Sequence, residues 1–128
     1  MSDIVKIETD KAPEAIGPYS QGVVANGFVY VSGQIGIDPV TGSLIDGGVA
    51  SQTERVMNNI KAILEAAGSS FDKVVRCDVF LSSMSNFSAM NDAYARYFTG
   101  SAQPARVTVE VSRLPKDALV EIAAIAVK

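Results

Sequence analysis

Two charged residues near the C-terminus are of the types that could bind and activate a small ligand. Arg106 opens a run of alternating polar and apolar residues, and Glu121 is the only charge in the nearly apolar run Leu119–Val127. A planar guanidinium can hold a small carboxylate or phosphate through two parallel hydrogen bonds. A carboxyl group whose pKa is raised by burial can activate a water molecule near neutral pH.

Both residues also have a structural interpretation. Arg106 could form a cross-strand ion pair with Asp78 or Glu110, and its position alone favours this interpretation because surface ion pairs are common. Glu121 could equally be the partner of an arginine or a lysine, since a buried charge is costly unless it is paired or used. The pattern of residue types therefore leaves both roles open.

Five further residues could contribute to a site, and each has a simpler alternative. Tyr19 ends a loop and could hydrogen-bond a ligand or only anchor that loop by packing. Ser32 and Gly33 could present a hydroxyl and a backbone N–H, or could merely end a strand. Asn91 could point its amide into a pocket or lie at the edge of a helix's apolar stripe. Cys77 is interpreted as a small buried hydrophobe rather than a nucleophile.

The sequence contains no histidine, which removes many catalytic arrangements. Serine–histidine and cysteine–histidine nucleophiles, histidine zinc sites and the usual zinc fingers are all excluded. Acid–base chemistry near neutral pH must then use a carboxylate, a tyrosine, a lysine or a bound water. The glycine-containing stretch 35–48 has neither the P-loop nor the dinucleotide-binding pattern, so we do not interpret it as a phosphate loop.

Length and composition indicate one globular domain, which we place at residues 1–128. A single cysteine is typical of a reducing compartment, so we expect a cytoplasmic protein, and an organellar form would look the same. The N-terminus lacks the basic and apolar regions of a secretory signal, and we expect no membrane partner. A net charge of −3 argues against broad nucleic-acid binding.

Apolar periodicity predicts a sheet with two helices. Strands are predicted over Ile4–Glu8, Ser20–Ala25, Phe28–Gln34, Lys73–Leu81, Arg106–Val111 and Leu119–Val127, and helices over Val49–Ala67 and Asn86–Phe98. This order favours an α+β fold with a single sheet and both helices on one face. We expect the last two strands to adjoin, the final one to be buried on both faces, and the other face of the sheet to be polar.

Several separate segments, taken together, resemble the reactive intermediate/imine deaminase (RidA) family. The matching segments occur in the family's order and are Ala15–Gln21, Val31–Ile35, Asn86–Phe87 with Asn91 and Tyr94, Pro104–Arg106, Arg113–Asp117 and Glu121–Val127. The resemblance implies a chorismate-mutase-like α+β fold and a homotrimer with a central barrel and sites between subunits. It also implies hydrolysis of 2-imino acids, or their enamine tautomers, to 2-oxo acids and ammonia without a metal or organic cofactor.

Position by position, the resemblance gives Arg106 the substrate carboxylate and Glu121 the attacking water. Tyr19 and Ser32 match pocket hydroxyl residues. Gly33 matches a nearby backbone contact, and Asn91 matches a polar pocket residue. We therefore expect Arg106 and Glu121 to line one cleft, closed by a subunit boundary.

Two positions depart from some members of the family. Thr108 stands where some have cysteine, and Ala123 stands where some have a second acid. We expect both to tune the pocket or the barrel interior. The alternatives to an enzyme are a trimeric module that binds small carboxylates without turnover and, from a label attached to the family, an endoribonuclease or translation inhibitor.

Overall fold

The computed structural model describes residues 3–128, so the first two residues of the predicted domain and of the N-terminal stretch lie outside it. The elements are β1 (Val5–Ile7), β2 (Gly22–Ala25), β3 (Phe28–Gln34), α1 (Gly48–Ala66), β4 (Val74–Leu81), α2 (Phe87–Ala95), β5 (Ala105–Glu110) and β6 (Val120–Val127). Short 3₁₀ turns precede β4, α2 and β6. The described residues therefore form an α+β fold with one sheet, as the sequence predicts.

The sheet has the strand order β1-β2-β3-β6-β4-β5. Only β4 and β5 pair in parallel, and every other pair of neighbours is antiparallel. The prediction that the last two strands adjoin is wrong, because β4 lies between β5 and β6. Parallel strands need a long crossover, and α2 is the crossover that returns the chain from β4 to β5.

Local sequence explains the two best-defined elements. The hairpin between β2 and β3 turns at Asn26 and Gly27, whose φ angles of 50° and 80° suit a type I′ turn. Helix α1 buries an apolar stripe at three- and four-residue spacing, which includes Val56, Ile60 and Ile63. This stripe packs on β3 and β6 and makes the centre of the core.

The two faces of the sheet differ in a way that the alternation alone did not reveal. Along β6, Val120, Ile122, Ala124 and Ala126 are buried beneath the helices, whereas Glu121, Ala123 and Ile125 are only half-buried on the other side. β6 is therefore not buried on both faces of a single chain. We call the side away from the helices the open face.

The open face is largely apolar rather than polar, although it also carries Arg76, Asp78 and Glu121, and this corrects a third expectation. Five of its side chains are at least 39% exposed: Phe28, Tyr30, Val107, Val109 and Val127. The polar residues of β5, Arg106, Thr108 and Glu110, instead lie on the helix side, where Asn91 of α2 accepts a hydrogen bond from Arg106. No helix of the described residues is long and apolar enough to cross a membrane.

Candidate active site

Glu121 lies at a hollow of about 600 Å³ on one side of the molecule. Three elements make its walls: the loop before β2, the excursion after β3, and the turn before β6. Its lining includes Tyr19, Gly33 and Glu121, and also Ile16, Val40 and Lys116. We call this hollow the Glu121 cavity.

Burial raises the pKa of the Glu121 carboxyl above its ordinary value. No ion pair to Glu121 occurs among residues 3–128, so the ion-pair alternative finds no partner within the described chain. A half-buried carboxylate that faces a cavity can orient a water molecule and accept its proton. The geometry therefore favours the functional interpretation of Glu121.

Three buried amide side chains fix the walls of the Glu121 cavity. Gln21 accepts a hydrogen bond from the Thr9 backbone N–H at 2.8 Å and donates to the Pro13 carbonyl at 2.8 Å, which holds the loop before β2. Asn59 of α1 donates to the Ile37 carbonyl at 2.9 Å and so anchors the excursion after β3. Gln52 accepts from the Leu119 N–H at 2.9 Å and sets the start of β6.

Gly33 is the close neighbour of Glu121. A Cβ atom at Gly33 would lie 3.0 Å from the Glu121 Cδ and still nearer to its Oε2, closer than ordinary contacts allow. The pairing of β3 with β6 is irregular between Val31 and Gln34, and this irregularity brings Gly33 against Glu121. A side chain at position 33 would therefore push the carboxylate aside.

Replacing Gly33 by alanine is expected to lower any activity that depends on Glu121 by roughly tenfold, because small displacements of a catalytic group are costly. The Glu121 side chain can rotate away, so the thermal midpoint should change little. Gly100→Ala is the matched control, since a Cβ there meets only Asp72 Oδ1 at 3.8 Å. Equal activity of Gly33→Ala and wild type would contradict the close contact between position 33 and the Glu121 carboxylate.

Tyr19 and Ser32 take different places. Tyr19 lines the Glu121 cavity and is 52% exposed, so its hydroxyl is accessible to a ligand. Ser32 is adjacent in sequence to Gly33, but its Oγ donates to the Ser20 carbonyl at 2.5 Å. Within the described chain the Ser32 hydroxyl thus holds the loop that carries Tyr19.

Arg106 lies on the helix side of β5, where its side chain contacts three residues of α2. Its Nη1 donates to Asn91 Oδ1 at 2.8 Å, and its guanidinium carbon lies 4.9 Å from the Tyr94 ring centroid and 5.6 Å from that of Phe87. Cation–π contacts of this kind orient a guanidinium without using its N–H donors. We call these three α2 residues the Arg106 bracket.

The ion-pair alternative for Arg106 is wrong for the described chain. Asp78 pairs with Arg76 at 2.9 Å, and Glu110 accepts a hydrogen bond from the Met84 N–H at 2.8 Å. Among residues 3–128, Asn91 is the one hydrogen-bond acceptor that contacts the Arg106 side chain. Because a guanidinium has five N–H donors, most of them remain available to an anionic ligand.

The region beneath Arg106 is buried and partly unsatisfied. The Tyr94 hydroxyl and Thr108 Oγ1 are buried without a hydrogen-bond partner among the described residues. Cys77 is fully buried, and burial raises the pKa of its thiol, so it stays protonated and unreactive at neutral pH. The interpretation of Cys77 as a small buried hydrophobe is confirmed.

Arg106 and Glu121 lie on opposite faces of the sheet. Arg106 is aligned with Cys77 on the helix side, whereas Glu121 is aligned with Phe80 on the open face. Asn91 accompanies Arg106, while Tyr19 and Gly33 accompany Glu121. One chain therefore does not bring all the candidate residues into one cleft, and a shared site needs residues from two chains.

The candidate residues of the sequence analysis omit four residues that the structure brings to these places. Phe87 and Tyr94 flank Asn91 at four- and three-residue spacing on α2, and helical periodicity places them close to its side of the helix without indicating a role in the site. Val40 and Lys116 join the Glu121 cavity through loops whose approach has no signal in the local sequence.

Comparisons with known proteins identify the fold. The family model described as Endoribonuclease L-PSP matches residues 9–128. A RutC family protein of Pyrococcus horikoshii is 55% identical over 122 residues, which cover 95% of this chain and 96% of the relative. The 2-iminobutanoate/2-iminopropanoate deaminase of Capra hircus is 48% identical over 130 residues, with 100% and 94% coverage.

A solved structure agrees with these matches. The Rid family protein YyfA of Yersinia pestis, described as of unknown function, superposes with a TM-score of 0.96 at 51% identity. The alignment covers 98% of this chain and 100% of that chain. The sheet and helices described above are thus those of a Rid protein, and this chain belongs to the Endoribonuclease L-PSP family, also known as the RidA family.

Proposed function

We propose that this protein is a hydrolytic deaminase that converts reactive 2-imino acids, or their enamine tautomers, to 2-oxo acids and ammonia. The observation that carries the proposal is the Arg106 bracket, which presents free guanidinium donors to a carboxylate. The raised pKa of Glu121 and the relatives named 2-iminobutanoate/2-iminopropanoate deaminase support it. The substrates are of the kind that pyridoxal-phosphate-dependent dehydratases release, such as 2-aminoacrylate and 2-aminocrotonate.

In this proposal the residues position reactants more than they transform them. Arg106 holds the substrate carboxylate, and Glu121 accepts a proton from the water whose oxygen bonds to C2 of the imine. Glu121 passes this proton to the imine nitrogen, which gives a neutral carbinolamine, and it then transfers the hydroxyl proton of the carbinolamine to the same nitrogen as the C–N bond breaks and ammonia leaves. The C2–oxygen bond becomes the carbonyl of the 2-oxo acid, so the balance is one water consumed and one ammonia released.

The opposite placement of Arg106 and Glu121 leads to a proposal about assembly. The exposed apolar side chains of the open face, such as Tyr30, Val107 and Val109, are typical of a surface covered by another chain. We propose that three copies cover these faces around a central barrel, and that the cleft between neighbours takes Arg106 from one copy and Glu121 from the next.

The activity is tested with imines made in the reaction vessel. A dehydratase acting on serine or threonine releases the enamine acids, and disappearance of the imine is followed with and without this protein. We expect wild type to accelerate its loss. Unchanged imine lifetimes at all protein concentrations would disprove the proposal.

Mixing two inactive variants tests whether the site is shared. Arg106→Ala and Glu121→Gln chains, unfolded and refolded together in equal amounts, should recover about a quarter of the wild-type activity, because one in four neighbouring pairs then contains both intact residues. Each variant refolded alone is the control. Activity that stays at the level of the separate variants would show that the two residues do not form one site between chains, and the mass of the assembly would test the trimer independently.

A second candidate is a module that binds small carboxylates without turnover, which the Arg106 bracket alone would support. It predicts binding of 2-oxobutanoate that is lost in Arg106→Ala, combined with no acceleration of imine hydrolysis. Calorimetric titration beside the imine assay separates the two functions.

A further inference from the structure

The turn before β6 holds its backbone in an unusual conformation. Lys116 and Asp117 have consecutive positive φ angles of 55° and 56°. Three non-glycine residues of the described chain have a positive φ. Besides Lys116 they are Asn26 and Asp117, whose residue types tolerate the left-handed region better than lysine does. Left-handed conformations of this kind are costly for a non-glycine residue and persist only where the surroundings enforce them.

Contacts on both sides of the turn enforce it. The guanidinium of Arg113 donates to both carboxylate oxygens of Asp117, at 2.7 and 3.2 Å. Leu114 and Ala118, on either side, are buried. The Asp117 N–H donates to the Leu114 carbonyl at 3.1 Å and closes the turn. Because Arg113 and Asp117 are both exposed, their pair serves to fix the geometry rather than to add much stability.

The strained turn places Lys116 in the wall of the Glu121 cavity. Within the described chain, Lys116 is the only cationic residue that lines this cavity, and it forms no salt bridge there. No salt bridge joins the Lys116 ammonium to the Glu121 carboxylate within residues 3–128. Lys116 is exposed, so its ammonium can meet a ligand that enters the cavity.

Apart from Glu121, the acidic residues of the cavity lie on another wall. Asp10 and Glu14 belong to the loop before β2 and also line a neighbouring hollow on its far side, whereas Lys116 belongs to the turn before β6. A negatively charged group on a ligand would be repelled by Asp10 and Glu14 and attracted to Lys116. A cavity of about 600 Å³ also has room for more than a four-carbon acid.

We propose that Lys116 is a second anion-binding group of the site and that it favours 2-imino acids whose side chain ends in a carboxylate. The proposal rests on the deaminase function proposed above. Arg106 holds the carboxylate next to the imine, and the Lys116 ammonium receives the carboxylate at the far end of the side chain. The strained turn keeps that ammonium beside the cavity before substrate arrives.

The test compares two imine substrates and variants of two lysines, Lys116 and Lys61. An amino-acid oxidase produces 2-iminoglutarate from glutamate and 2-iminobutanoate from 2-aminobutanoate. Lys116→Asn removes the charge but keeps a residue that accepts positive φ, so the turn should fold. We expect its kcat/KM to fall about fivefold for 2-iminoglutarate and to stay within about twofold for 2-iminobutanoate. Lys116→Arg should retain the preference, and Lys61→Gln, an exposed change on α1 outside the cavity, is the control.

Equal effects of Lys116→Asn on both imines, or no effect on either, would overturn the inference while leaving the deaminase function intact. Wild type that accelerates neither imine would instead refute the deaminase function. In that case the anion-binding role of Lys116 is tested by calorimetry, which compares the binding of 2-oxoglutarate with that of 2-oxobutanoate. A loss in Lys116→Asn confined to 2-oxoglutarate supports the anion-binding role, and unchanged binding of both acids overturns it.

Discussion

Arg106→Ala is expected to lower kcat/KM for imine hydrolysis by roughly two to three orders of magnitude, because removing one partner of a charge-assisted pair costs about 3–4 kcal/mol. Arg106→Lys should recover only part of this loss, since an ammonium keeps the charge but cannot form two parallel hydrogen bonds. The measurement is the steady-state rate of imine loss, together with calorimetric binding of 2-oxobutanoate.

Arg96→Gln is the matched control for the arginine series. Arg96 lies just after α2 and is an exposed residue in a salt bridge with Glu54 at 3.5 Å, away from the Arg106 bracket. Its replacement removes one positive charge from the same region and should leave the rate within about twofold, because exposed pairs contribute little. Similar losses for Arg96→Gln and Arg106→Ala would mean that overall charge, not a bound carboxylate, controls the rate.

Glu121→Gln is expected to lower kcat roughly a hundredfold or more, because an amide cannot accept the proton of the attacking water. The KM should change less than kcat, since the substrate carboxylate is assigned to Arg106. Glu65→Gln, an exposed change on α1, is the control. A Glu121→Gln enzyme with the wild-type kcat would remove Glu121 from the mechanism.

The pH dependence of Glu121 gives a second readout with a defined sign. The working form is the carboxylate, and its pKa in the folded protein is raised above 4.5 by burial, so the acidic limb of the rate profile should lie above that pH. The folded state then binds more protons than the unfolded state in this window, so the free energy of unfolding falls as pH rises from 4.5 through the folded pKa. Glu121→Gln removes this loss, and its stability relative to wild type should improve as pH rises, although its activity falls.

Local periodicity was sufficient to locate the elements of this fold. β3 occupies the predicted range Phe28–Gln34, and α1 differs from its prediction by one residue at each end. Alternation shows which residues share a face of a strand, because side chains repeat with period two. Alternation does not show which face is covered, and that is why the expectation of a polar open face was wrong.

The arrangement of the site could not be predicted from local periodicity. The position of Arg106 depends on α2 packing over β5, and the position of Glu121 depends on a sheet order in which β6 is not next to β5. Both are contacts between segments far apart in sequence. The resemblance implied roles for the residues, whereas the structure shows that Arg106 and Glu121 lie on opposite faces of the sheet.

The place of β6 in the sheet has a consequence for how the protein is made. β6 is the last of the six strands in the chain, yet it lies in the interior of the sheet between β3 and β4. Until β6 has been synthesised, β1–β3 and β4–β5 share no hydrogen bonds, and β3 and β4 each have an unpaired edge. We therefore expect the sheet to close after translation of this segment rather than strand by strand as the chain emerges, with the two halves gaining or losing their structure together.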